Sequence, residues 1–240
     1  MPDNSLVTSF KNPGSEFRGA PFWAWNGTLD PETCRQQIRV MREGGLGGFF
    51  MHARVGLGTA YLSDEWFKCI NACIDEASGR NMRAWLYDED RWPSGAAGGL
   101  VTKDVRYRMR RLAATILDKA PAKGLWTKET LAVFTAKLER VEGAATKASG
   151  LKRVAKGAQP KPAKGESVIV FAVEVQTPSS WHNNGTYLDT MNPAAVKAFI
   201  RTTHDAYQAN CSKKKWGTGP VFWWALSLMG THNFKQWGRT

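Results

Sequence analysis

Three acids in succession, Asp88, Glu89 and Asp90, follow Trp85, Leu86 and Tyr87 and run directly into Arg91 and Trp92. Adjacent carboxylates repel one another, so a chain that keeps three at the end of an apolar run has a use for them. Two other apolar stretches also end in polar groups. "PFWAWN" brings Trp23, Trp25 and Asn26, and "GGFFMHAR" brings His52 and Arg54. Aromatic faces beside carboxylates, an amide, an imidazole and a guanidinium suit a sugar. Trp and Tyr stack on the apolar faces of a pyranose, and carboxylates and amides bind its hydroxyls.

On this reading Glu89, or Asp90 at the rim, is the best-placed catalytic acid, and Asp88 is structural or orients it. Trp23, Trp25 and Trp92 stack on the sugar, Tyr87 shares the inward face with Glu89, and Asn26, His52 and Arg54 bind hydroxyls or position carboxylates. Each residue also has a structural reading: the two tryptophans as core bulk, His52 as a core histidine, Arg54 as an ion-pair partner for the acids. The chemistry needs no cofactor; a divalent cation between Asp88 and Asp90 is the lesser alternative.

The elements that must carry these residues alternate. After the strand-like "GAPFWAWN", Asp30 caps and Pro31 opens a helix with Cys34, Ile38 and Met41 on one face, ended by Gly44 and Gly45. "LGGFFMHA" is a second strand, and Ser63 caps a helix whose stripe is Trp66, Phe67, Ile70, Cys73, Ile74 and Ala77. "MRAWLYDED" is a third strand, so the first ninety residues read β-α-β-α-β, a parallel sheet with helical crossovers and an α/β fold. Ligands in such folds gather beyond the carboxyl ends of the strands, where all three polar clusters lie. Side-chain alternation then puts Tyr87 and Glu89 on one face of the third strand, and Leu86 and Asp88 on the helix-covered other.

The rhythm breaks after Gly99. "LAVFTAKLE" and "SVIVFAVEVQ" read as the strands of an inserted antiparallel β-hairpin around a Lys/Pro-rich linker, and at "MNPAAVKAFIRTTHDAY" a capped helix resumes, after which a fourth strand is due. The chain thus divides into 1–102, the first half of a barrel; 103–185, a basic insert; 186–211, the resumed barrel helix; and 212–240, an atypical tail.

The formal net charge of +12 sits mostly in that insert. From Lys103 to Gly165 there are 16 Lys or Arg against 5 Asp or Glu. The stretch has no aromatics at its basic core on which bases would stack, so a solvated linker is preferred to a nucleic-acid surface. With 42% hydrophobic residues the chain has matter for a packed core, and no leader or membrane-spanning run is visible, which makes a cytoplasmic location the default. The four cysteines lack paired spacing and read as buried free thiols.

The combination of "PFWAWN", "GGFFMH" and "YDEDRWPSG", in that order, resembles the start of the barrel in glycoside hydrolases related to the α-L-rhamnosidases. The resemblance spans about Arg18 to Gly99 and resumes over "YLDTMNPAAVKAFIRTTHDAY". It implies a (β/α)8 barrel of the TIM type and cleavage of a glycosidic bond by two carboxylates, without specifying the sugar. In that family the fourth strand carries a Gly-Ile-hydrophobic-Thr-Asp core; here "GTGPVFWWALSLMGTHNFKQWGRT" has no acid at all. A reading-frame slip after about Cys211 accounts for the change, since the neighbouring frame can encode that core; a natural aromatic tail is the alternative. About three to four βα units fit in the chain, so the expectation is a partial barrel. As a fragment it is inactive or serves as a non-catalytic carbohydrate-binding module, and its exposed sheet edges invite self-association. A basic nucleic-acid-associated protein is the remaining alternative.

Overall fold

The computed structural model describes residues 4–91, 93–121, 123–139, 146–211 and 221–224. The chain divides into two compact units. The first joins Met1–Arg108 with Pro178–Thr240, and the second, Met109–Thr177, is inserted in sequence between those parts.

The first unit begins with helix α1 (Asn4–Lys11) and then follows the expected alternation: β1 (Phe22–Trp25), α2 (Pro31–Glu43), β2 (Gly48–Ala53), α3 (Asp64–Gly79) and β3 (Arg83–Asp90). Its cap residues act as their types require. The Asp30 carboxylate accepts from Thr33 N at 2.8 Å, and Ser63 Oγ accepts from Trp66 N at 3.2 Å, each satisfying a helix-end donor. β1, β2 and β3 pair in parallel in sequence order, with Phe22 opposite Phe50 and Phe50 opposite Trp85. The expected fourth strand is Val221–Trp224 (β8 in chain order), parallel to β3 along Ala84–Tyr87. The sheet order is therefore β1-β2-β3-β8, and no closed barrel forms among the described residues. No described helix is long and apolar enough to cross a membrane.

Alternation decides what the core contains. Trp23, Trp25, Phe49, Met51, Ala84 and Leu86 pack together with Ile38 of α2 and Trp66, Ile70, Cys73 and Ile74 of α3. All four cysteines are free and buried. Arg39 of α2 and Arg80 at the end of α3 both reach Glu76, which fastens the two helices. The C-terminal helices α4 (Pro193–Thr202) and α5 (His204–Asn210) complete the unit. Tyr207 is fully buried; its hydroxyl accepts from Trp66 Nε1 at 3.2 Å and donates to the Tyr87 carbonyl at 3.1 Å. One hydroxyl thus ties α3, α5 and β3.

The second unit departs from the expected hairpin. It is a four-stranded antiparallel sheet of β4 (Arg110–Leu117), β5 (Thr130–Glu139), β6 (Lys147–Arg153) and β7 (Ser167–Val175), in the order β4-β7-β5-β6. β5 and β7 are the pair legible in the sequence. They recruit two flanking strands that lack a clean apolar alternation, one of them inside the Lys-rich segment, because ladder bonds to an established neighbour outweigh weak strand propensity. Leu125, Val133 and Val168 form this unit's own small core.

Tyr207→Phe removes both bonds at once and leaves the buried Trp66 indole N–H without its acceptor. A loss of about 1–3 kcal/mol is expected, read from the midpoint of urea unfolding followed by tryptophan fluorescence.

Candidate functional site

The acids at the end of β3 have three different environments. Glu89 is 1% exposed, and its carboxylate is closed on the backbone of the loop that follows. Oε2 accepts from Gly95 N and Ala97 N, each at 2.8 Å; Oε1 accepts from Asp90 N at 2.9 Å and from Gly98 N. Burial pushes its carboxyl up to about 8, the Gly98, Ala97 and Gly95 amides draw it back, and the Asp88 charge adds to the rise. The residue expected to be the leading catalytic acid is thus committed to the loop. Both of its oxygens accept from backbone N–H donors of that loop.

The bonds hold a contorted segment. Ala97 sits at φ 52° and Arg91 at φ 75°, left-handed values that cost a residue with a Cβ roughly 1–2 kcal/mol each. Gly95, at φ 139°, is required for a second reason: a Cβ there would stand 3.1 Å from Leu188 Cβ and 3.4 Å from Tyr187 Cε2. The loop is therefore pinned by Glu89 beneath and by the 187–188 segment beside it.

Asp88, 2% exposed, accepts from Ser94 Oγ at 2.6 Å and lies 3.7 Å from His204 Nε2 of α5. Burial raises its carboxyl to about 6 and lowers the His204 imidazole. Asp90 pairs with its neighbour Arg91 at 3.1 Å, not with Arg54, the partner the sequence allowed. Asp88 and Asp90 therefore turn to different partners, and the described residues hold no His, Cys, Asp or Glu cluster of metal-binding size.

A small cleft of about 70 Å³, open to solvent, lies at this strand end. Asp90 and Arg91 line one part of it, and His182, Asn183, Thr186 and Tyr187 line another. The latter come from a tight turn in which Asn183 and Asn184 take left-handed φ of 54° and 61°, a conformation Asn tolerates better than most residues, and Ser179 bridges Gly185. His182 and Tyr187 stack, with ring centroids 5.4 Å apart and planes within 16°. His182 Nδ1 is buried without a hydrogen-bond partner, and burial holds that imidazole below its usual pKa. Carboxylate, guanidinium, amide, imidazole and an aromatic face are the set expected from the sequence, but the amide, the imidazole and the aromatic face arrive from residues not singled out there. The signal was present: "WHNNGTY" is a turn with an aromatic residue on either side.

Other expected site residues fall elsewhere. Trp25, expected to be a stacking platform, is 2% exposed and meets Trp66 edge-on at 5.0 Å; Trp23 packs edge-on against Trp25 and Phe49, and its Nε1 donates to Gln37. Both belong to the helix-covered core, because residues 23 and 25 share the face of Phe49 and Met51. The opposite face carries Phe22, Phe50 and Trp85 as a stacked ladder with spacings of 4.8 and 5.2 Å. It continues into His52 and Tyr87, whose rings lie 4.1 Å apart. His52 Nε2 and Tyr87 Oη are buried without a hydrogen-bond partner; the Ser94 hydroxyl close to Tyr87 donates to Asp88 instead. Burial, reinforced by the Arg54 charge, lowers His52 to about 4, so its ring is neutral at pH 7. Asn26 and Arg54 are exposed at the ends of adjacent strands, where Arg54 N donates to the Trp25 carbonyl at 2.9 Å. Trp92, and the tail other than 221–224, lie outside the described residues.

No protein-family model matches the sequence, and no curated protein matches it. Among solved structures, the chain is similar to a rhamnosidase from Novosphingobium sp. PP1Y, at a TM-score of 0.40 and 12% identity, over 73% of this chain and 27% of that one. The chain thus spans about a quarter of that protein's length, and the likeness is too loose to carry an assignment.

Two outcomes follow from the acids. Glu89→Gln places an NH2 group against two backbone N–H donors, and a loss of roughly 2–3 kcal/mol is expected in urea unfolding at pH 7. The pH dependence has a definite sign: Asp88 has a higher pKa folded than unfolded, so its contribution is complete below the unfolded value near 4 and is lost as pH rises through about 6. The urea midpoint of the wild-type chain should therefore fall, relative to that of Asp88→Asn, between pH 4 and 7. Parallel pH profiles for the two proteins would refute that environment for Asp88.

Proposed function

We propose that this chain binds a neutral saccharide in the cleft at the end of β3, as the carbohydrate-holding part of a glycoside hydrolase-like protein. The observation that carries the proposal is the stacked His182–Tyr187 pair facing the same cleft as Asp90, Arg91 and Asn183. A half-buried aromatic ring offers a pyranose an apolar surface, while a carboxylate, an amide and a guanidinium match its hydroxyls. The motif resemblance of residues 18–99 to rhamnosidase-related hydrolases supports the same substrate class, and the parallel sheet with α2 and α3 against one face is compatible with the first units of a (β/α) barrel.

Binding is favoured over turnover by this chain. Glycosidic hydrolysis takes two carboxyl groups, one to protonate the leaving oxygen and one to act as base or nucleophile. The acids lining the cleft are Glu89 and Asp90, and the first is spent on four backbone amides. Asp90 is then the ligand-facing acid, Glu89 and Asp88 are positioning residues, and His52 with Tyr87 forms a neutral polar pair behind the strand ends. Arg54 and Asn26 remain candidates for outer contacts.

The test is isothermal titration of the full chain with a panel of neutral monosaccharides and methyl glycosides that includes L-rhamnose. At least one should bind in the millimolar range, with affinity falling tenfold or more in Tyr187→Ala and in Asp90→Asn, and with no release of nitrophenol from nitrophenyl glycosides. Absence of binding across the panel, or binding indifferent to both substitutions, would overturn the proposal.

A further inference from the structure

The inserted sheet has two edges of different character. β6 is guarded: Lys147, Lys152 and Arg153 stud it, Gly150 sits at φ 63°, and the ladder to β5 shifts register between Thr135 and Lys137. Such charges and irregularities are how edge strands avoid pairing with other chains. β4 is regular along all eight residues of its pairing with β7, and beyond Arg110 and Arg111 its sequence is "LAATIL". Leu112 is 63% exposed and Ile116 42% exposed, two aliphatic residues on one strand, where β5 and β6 each expose a single leucine, Leu131 and Leu151.

The direction in which β4 points its backbone follows from one bond. Gln176 N donates to the Met109 carbonyl, so 109 and 176 are a hydrogen-bonded antiparallel pair. Bonded pairs recur every second residue, which makes the odd-numbered residues of β4 bond to β7. The N–H and C=O groups of Leu112, Ala114 and Ile116 therefore point away from the sheet, along the edge that no described strand pairs with.

We infer that β4 is a homodimerisation strand: it pairs antiparallel with β4 of a second copy of this chain, across a twofold axis at Ala114, to make one continuous eight-stranded sheet. The chemistry of the strand selects that occupant, since its sequence complements its own reverse. With Ala114 opposite the partner's Ala114, Leu112 meets the partner's Ile116 on one face of the extended sheet, and Arg110 meets the partner's Asp118. Every opposed residue is even-numbered, so each outward N–H finds an outward C=O. Apolar meets apolar and cation meets anion in a single register, as cross-strand pairs require.

Sedimentation velocity over a concentration series, on the full chain and three variants, tests this. The wild-type chain should form a species of twice 26.7 kDa. Leu112→Lys combined with Ile116→Lys sets lysine against lysine and should abolish that species, whereas Leu112→Lys combined with Ile116→Glu sets lysine against glutamate and should restore it. Ala114→Pro removes an outward N–H without touching the β7 ladder, and should also give the monomer. If the proline variant does not fold, the charge pairs decide alone. A chain that stays monomeric, a dimer that the double-lysine variant leaves intact, or one that the lysine–glutamate variant fails to restore overturns the inference.

Discussion

The Glu89 carboxylate, closed on four backbone N–H groups, is the interaction on which the end of β3 depends. Without it the loop that follows would have to hold Ala97 in a left-handed conformation and bury three amides unaided. With it, the loop has a fixed path, Gly95 can pack against Tyr187 and Leu188, and Asp90 is left at the edge of a cleft. The same four bonds occupy both Glu89 oxygens.

This division of roles accounts for three acids in succession. One is spent on the loop, one is held by Ser94 beside His204, and one is paired with Arg91 at the cleft. Their mutual repulsion is relieved because each is answered locally by a different group. Asp88 and Glu89 are tolerated inside the protein at the cost of raised pKa values, which tie stability to pH.

The local elements of the first unit were legible in the sequence for physical reasons. Asp30 with Pro31, Ser63, and Asn192 with Pro193 are residues that satisfy helix-end donors wherever they occur. Alternation likewise separated Leu86 from Tyr87 on β3. The same rule places Trp23 and Trp25 on one face of β1, but which face the helices cover is set by register with Phe49 and Met51, a tertiary quantity. The 182–187 turn was hidden by distance along the chain: it meets residues 90–95 only after the inserted unit has been traversed. β4 and β6 were hidden because edge strands are chosen by pairing, and their side chains carry little apolar pattern to read.

The saccharide site proposed for this chain is the cleft beside Asp90, not the tryptophan-rich face of β1. Chemical-shift mapping by NMR, during titration of the full chain with a bound monosaccharide, tests this most directly. The Asn183 side-chain amide, the Tyr187 ring and the Thr186 methyl should move in concert while the Trp23 and Trp25 indole signals stay fixed. Shifts centred on Trp23 and Trp25, or none at the cleft at saturating sugar, would contradict it.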